Sequence, residues 1–407
     1  MTDTNGDKHA VILSGGGANG AYEVGVLKAL FTGLSPATNH QPLVPDIFTG
    51  TSVGSYNAAF LVAHWERHGP EAIAHLEQVW LDKVSDYAQK CGNGVYRIRA
   101  TPWEFINPAC FIPNPLQPFI QFVTDSTLLV WDGLQRATNV VLEQNAPLLQ
   151  RVTELFNFTG LVSLQPFALT LQETIQFADI YRAEKVLRIA ATNWETGVLQ
   201  IFTNADMTDE LGPLALMAST AIPGFFPPVM VGSQIFIDGS VLMNTPLRLA
   251  IDTGADILHV IYLDPDIEHI PLSGLEDTLE TLYRMQTIGW AKALNNDIAT
   301  ARHVNQEVAY ARLIDQTLGI LQQRAQDQNL FQGLPVGDIR QHLQQSLKYK
   351  PVTIHLYHPR DDLGGALGLL NFDRDRIRNL IERGFNDATD YYSAAYEVVR
   401  PFYVPAL

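Results

Sequence analysis

Apolar runs and glycines alternate near the start of the chain. Ala10-Val11-Ile12-Leu13 is continuously apolar, as a buried strand requires. Gly20–Leu30 then places Ala21, Val24, Leu27, Ala29 and Leu30 at helical spacing. Val44–Thr49 and Val53–Trp65 repeat the alternation of strand and helix. Strand, crossover and strand predict a βαβ unit, hence a parallel sheet. Further along, Val186–Asn193 and Gly197–Thr203 predict a hairpin turning at Glu195-Thr196-Gly197. Leu211–Thr220 reads as a short helix that ends before Pro223. Gln234–Asp238 and Ile257–Leu263 read as strands, the second nearly all apolar. Residues 275–347 read as mostly helical, with Leu279, Leu282, Met285 and Ile288 at three-residue intervals. Val352–Leu356 fits a last strand. Asp373–Val399 predicts a long amphipathic helix carrying Ile377, Leu380, Ile381, Ala388, Tyr391, Ala395 and Val398.

Residues 85–158 break this rhythm. Pro102, Pro108, Pro113, Pro115 and Pro118 interleave with Trp103, Phe105, Phe111, Phe119 and Phe122. The segment reads as an insertion, either an ordinary packed excursion or an apolar cap over a lipid site.

Composition narrows the function classes. The chain has 407 residues, 46% of them hydrophobic, enough for a sizeable core. Charged residues are 17%, below the roughly 25% of ordinary soluble proteins. A formal net charge of −16 argues against nucleic acid and against electrostatic binding to anionic lipid. Hydrophobic docking on a membrane surface stays open. Cys91 and Cys110 make no disulfide framework, so a reducing, cytoplasmic setting is the expectation. The stretch Met1–Asp7 shows no signal-peptide pattern, and no apolar run is long enough to span a bilayer.

Three segments carry the candidate chemistry. Ser14-Gly15-Gly16-Gly17-Ala18-Asn19-Gly20 follows the first strand, Gly50-Thr51-Ser52-Val53-Gly54 the second, and Asp238-Gly239 the run Ile235-Phe236-Ile237. Together they read as an oxyanion loop (Gly15, Gly16, Gly17, Gly20), a nucleophile (Ser52) and a carboxylate base (Asp238). Gly50, Gly54 and Gly239 would support the turns. The glycines also match a dinucleotide fingerprint, but that needs an acidic residue at the far end of the second strand, where Gly50-Thr51-Ser52 stands. Ser52 could alternatively cap the helix starting at Val53. A histidine-dependent esterase would draw on His259, His355 or His358. No metal-ligand spacing is seen and no cofactor is required.

These motifs, in this order, resemble the patatin-like phospholipase family, which joins G-G-G-x-x-G, G-x-S-x-G and D-G. Ala218-Ser219-Thr220-Ala221-Ile222-Pro223-Gly224-Phe225-Phe226-Pro227-Pro228 resembles the family's stretch before the aspartate, and Asn244-Thr245-Pro246 and Gly254-Ala255-Asp256 also fit. The resemblance implies a three-layer α/β fold: a mainly parallel central sheet flanked by helices. It places the catalytic core at residues 8–265, with 85–158 inserted, and a helical C-terminal extension at 266–407. It implies a Ser–Asp dyad without histidine and an acyl-enzyme formed from phospholipid or lysophospholipid. A binding protein on a silent copy of the fold is the alternative. Two departures stand out. Asn19 occupies a loop position that is basic in many relatives, and the aspartate motif is Asp238-Gly239-Ser240 rather than D-G-G.

Overall fold

The computed structural model of the chain describes residues 6–86, 92–98, 162–264, 278–328, 338, 340–341, 350–390 and 398–400. The prolines and aromatic residues expected to form a cap, Pro102 to Phe122, lie outside these residues, as do Cys91 and Cys110.

Among the described residues a nine-stranded sheet forms the centre. Its strands are β1 (His9–Leu13), β2 (Ile47–Thr51), β3 (Val186–Asn193), β4 (Leu199–Thr203), β5 (Val229–Val231), β6 (Gln234–Asp238), β7 (Ile257–Ile261), β8 (Thr353–Tyr357) and β9 (Val398–Val399). The order is β9-β8-β7-β1-β2-β3-β6-β5, with β4 also on β3. From β8 to β3 every pairing is parallel. The flanking pairings are antiparallel.

Successive side chains on a strand face opposite ways, and both faces of β1 are buried. Val11 and Leu13, with Phe48 of β2, join one apolar cluster with helices α1 (Gly20–Phe31), α2 (Val53–His68) and α5 (Arg374–Thr389). Ala10 and Ile12, with Ile47, join a second cluster that includes Leu294, Ile298 and Ala301 of the long helix α4 (Thr278–Gln328). This makes three layers. A continuously apolar strand is therefore what the middle of this sheet needs.

Several boundaries differ from the sequence expectation, two of them instructively. The second strand starts at Ile47 rather than Val44, because Pro45 has no N–H for a ladder. Asp46 instead ties back to His9, accepting its N–H at 3.0 Å through Oδ2. The C-terminal helix stops at Thr389 rather than Val399. Val398 and Val399 form a strand instead, pairing with His355 and Ile354 at the edge of the sheet. β-branched residues suit that position better than a helix end.

Candidate active site

The serine stands on a strained corner. β2 ends at Thr51 and α2 begins at Val53, leaving Ser52 with φ 54° and ψ −126°. A non-glycine residue there costs about 1–3 kcal/mol, so its surroundings must hold it. They do so through Ser219, at the end of helix α3 (Leu211–Ser219). The Ser52 N–H donates to Ser219 Oγ at 3.0 Å, and Ser219 Oγ donates to the Ala190 carbonyl of β3 at 2.7 Å. Gly50 and Gly54 make the corner sterically possible: a Cβ on Gly50 would strike the Gly54 carbonyl, and one on Gly54 would strike that of Leu13. Ser52 makes no capping hydrogen bond to α2, so its hydroxyl is not consumed by the helix.

Strand register brings the aspartate to the serine. β4 occupies one edge of β3 from Arg188 to Thr192. The other edge is shared end to end. β2 runs up to Thr51 beside Ala190, and antiparallel β6 runs down to Asp238 beside Ala191. Ser52 and Asp238 therefore meet where the two strands stop. Gly239 allows the turn there, since a Cβ on it would collide with the Ala190 carbonyl. Asp238 is fully buried, and its Oδ1 accepts the Ser240 N–H at 2.8 Å. Its Oδ2 is buried without a formed hydrogen bond. Burial pushes the carboxyl up to about 6, against the lowering effects of the Ser240 N–H and the nearby Ser52 and Ser240 hydroxyls.

The glycine loop lies over the same point. A Cβ on Gly15 would come within 3.0 Å of Ser52 Cβ. Of the loop glycines Gly15, Gly16, Gly17 and Gly20, the first and last have their N–H groups engaged. Gly15 N–H is spent on the Asn244 carbonyl at 3.1 Å, and Gly20 N–H turns back onto the carbonyls of Ala18 and Gly17. Gly16 and Gly17 have no hydrogen bond on their N–H groups among the described residues. Gly17 adopts φ +55°. The free N–H groups and the N-terminus of α2 make this corner suited to a developing oxyanion.

Residues 363–376 anchor this loop. Ala18 N–H donates to the Leu369 carbonyl at 2.8 Å. Arg376, on α5, donates through Nη2 to Asn19 Oδ1 and to the Leu363 carbonyl, each at 2.6 Å, and through Nη1 to the Asn371 carbonyl at 3.0 Å. Asn19 is thus held by a guanidinium 357 positions away in the sequence. Gly25 and Gly384 let α1 and α5 approach closely: a Cβ on either would strike a carbonyl of the facing helix.

The histidines are elsewhere. His259 is buried in β7, with Nδ1 3.1 Å from the Tyr357 hydroxyl and its ring stacked on His9 and His355. His358 stacks on Tyr262. Among the described residues, none of the three lines either of the two cavities at Ser52 described next. Among the described residues, no cluster of three or more His, Cys, Asp or Glu converges as metal ligands do.

Two cavities do open on Ser52. One, about 530 Å³ including its opening to solvent, is walled by Tyr56, Trp80, Val84, Phe167, Phe226 and Phe372. The other, about 620 Å³ including its opening to solvent, is walled by Gly15, Gly16, Ser240, Tyr283, Gln286 and Trp290. Ile222 and Leu369 border both.

The sequence model described as patatin-like phospholipase matches residues 11–251, which contain every element of this corner except the C-terminal anchors. The chain belongs to the patatin-like phospholipase family. A curated relative in this direction is triacylglycerol lipase 5 of Saccharomyces cerevisiae, 23% identical over 299 residues, 68% of this chain. The chain spans 32% of that lipase's length. Among solved structures, VipD from Legionella pneumophila aligns with 96% of this chain and 68% of its own, at 12% identity and a TM-score of 0.36.

Some contributors were not readable as functional from the sequence. Ser219 and Asn244 fall in stretches that carry the family resemblance, but nothing local told that one would hold the serine's N–H and the other absorb that of Gly15. Leu369, Arg376 and Trp290 lie beyond the family match and carry no local signal.

Proposed function

We propose that the chain is a lipid acyl hydrolase that cleaves carboxylic esters through a Ser52–Asp238 dyad. The observation that carries this reading is the buried, unpartnered Oδ2 of Asp238 beside a serine hydroxyl on a strained corner. Asp238 takes the Ser52 proton as Oγ attacks the ester carbonyl carbon. The carbonyl π electrons move onto oxygen, and the oxyanion is held by Gly16 and Gly17 N–H at the positive end of α2. On collapse the C–O bond to the alcohol breaks, and the leaving alkoxide takes the proton from Asp238. A water then gives its proton to Asp238 and attacks the acyl-enzyme, releasing the fatty acid and restoring Ser52.

The raised pKa suits this role. A base near 6 is ionised at neutral pH and still takes a proton more readily than an exposed aspartate. The apolar cavity at Ser52 fits an acyl chain. Lipid esters as substrates agree with the family's name and with the relative named as a triacylglycerol lipase. The test is ester hydrolysis by folded Ser52→Ala, Asp238→Asn, His259→Ala, His355→Ala and His358→Ala. The first two lose turnover and the histidine variants keep it. A histidine variant as inactive as Asp238→Asn would replace the dyad with a histidine mechanism.

A further inference from the structure

Glu23 takes no part in the steps above. It is the acidic side chain in the first turn of α1, and it is fully buried. A glutamate is rarely buried so completely unless the structure pairs it or uses it. Burial raises its carboxyl well above the ordinary carboxylate range, against the lowering effects of the Asn57 amide and the Ser14 backbone. The neutral acid is therefore favoured. Its Oε2 accepts from Asn57 Nδ2 at 2.8 Å, and its Oε1 is buried without a formed hydrogen bond. The Ser14 N–H is already spent on the Ile261 carbonyl at 3.2 Å.

Asn57 stands in the second turn of α2 and is itself fully buried. Its carboxamide serves three elements at once. Besides Glu23, Nδ2 donates to the Gly20 carbonyl at 3.2 Å, where the glycine loop becomes α1. Oδ1 accepts from Trp80 Nε1 at 2.9 Å, and Trp80 walls the apolar cavity. An indole N–H only donates and a carbonyl only accepts, so these two partners fix which way the amide points. The Glu23 oxygen that faces Nδ2 must then be an acceptor.

This arrangement bears on the chemistry because the oxyanion donors and the nucleophile belong to different elements. Gly16 and Gly17 lead into α1, whereas Ser52 leads into α2. The two helices start hard against each other: a Cβ on Gly20 would strike the Val53 side chain. The register of these starts sets how far the free N–H groups stand from the oxyanion. A misplacement of about 1 Å there costs on the order of 10²-fold in rate. Apolar packing holds helices together, but directional hydrogen bonds fix the register.

We propose that Glu23 and Asn57 are positioning residues for the Ser52 reaction. The Glu23 carboxyl, as an acceptor, orients the Asn57 amide. The amide in turn holds the oxyanion loop against the nucleophile's helix and Trp80 in the cavity wall. Among the described residues, neither Glu23 nor Asn57 lines the two cavities, so both act through other groups. The proposal rests on the Ser52 ester-hydrolase reading and adds to its machinery.

The experiment measures kcat and KM of the full chain on p-nitrophenyl butyrate, per mole of folded protein, with urea unfolding alongside. Glu23→Met fills the same space without an acceptor. It lowers kcat at least about tenfold and leaves KM within about threefold. Glu23→Gln still offers Nδ2 an acceptor and keeps kcat within about threefold of the parent. Asn57→Leu is at least as slow as Glu23→Met, and adding Glu23→Met to it costs nothing further, because both act through one amide. Parental kcat in folded Glu23→Met, or additive losses in the double variant, overturns the proposal. Glu23→Gln with kcat below about a tenth of the parent also overturns it, and this arm stands even where Glu23→Met does not fold. A parent inactive on the ester instead overturns the hydrolase reading, and this proposal with it.

Discussion

Asp238→Asn separates what the carboxylate does for chemistry from what it costs the fold. The substitution keeps size and shape. Asn Oδ1 can still accept the Ser240 N–H, which Asp238 Oδ1 accepts at 2.8 Å. It removes the base, so turnover falls by a factor on the order of 10²–10⁴. Stability moves the other way. The Asp238 carboxyl rises from 3.8 to about 6 on burial. Below pH about 4 it is protonated folded and unfolded, and contributes nothing. Between about 4 and 6 the unfolded chain ionises first, so the folded state loses stability as pH rises. Above about 6 the penalty is constant, at about 3 kcal/mol. Asn carries no such penalty. Asp238→Asn is therefore more stable than the parent at pH 8, by up to about 3 kcal/mol, and equal to it near pH 4. Parallel thermal or urea unfolding of the two proteins from pH 4 to 8, with ester turnover at each pH, measures both effects. A variant less stable than the parent at pH 8 refutes the desolvated carboxylate. A variant with parental turnover refutes the base.

The same shift predicts that the parent's kcat/KM on a soluble ester rises with pH through about 6 and then levels, as Asp238 ionises; a pH–rate profile flat from 5 to 8 contradicts it. Gly17→Ala puts a side chain at φ +55° and against the Leu369 carbonyl, so the free N–H is displaced and kcat falls about 10²–10³-fold, read by steady-state kinetics on the folded variant. Ser219→Ala leaves the buried Ser52 N–H without its acceptor and lowers stability by about 1–3 kcal/mol, read by urea unfolding. Arg376→Ala frees Asn19 and the Leu363 and Asn371 carbonyls. We expect kcat to fall more than KM rises, because the oxyanion loop loses its anchor while both cavities stay lined.

The sheet was legible where strands are short, apolar and closed by glycine. Gln234–Asp238 has the bounds the sequence implies, and the run Ala10–Leu13 fills most of β1. The βαβ start followed from spacing alone. The C-terminal end was less legible: Val398 continues an amphipathic pattern, and only the open edge beside Ile354 and His355 makes it a strand. The site shows the same division. Ser52, Asp238 and the glycine loop announce themselves because each needs a special backbone within a few residues. That Gly15 N–H is engaged depends on the carbonyl of Asn244, and the loop's hold on Ala18 N–H on that of Leu369, both hundreds of residues away. The partner of Asn19 is 357 positions distant, and one arginine among the four of an amphipathic helix looks like any solvated charge.

The central claim is that Ser52 is the nucleophile, and covalent trapping tests it most directly. The full chain is treated with a fluorophosphonate probe, weighed intact and mapped by peptide mass spectrometry. The account predicts one adduct, on Ser52, slowed in Asp238→Asn and absent in folded Ser52→Ala. An adduct on another residue, or undiminished labelling of Ser52→Ala, would contradict it.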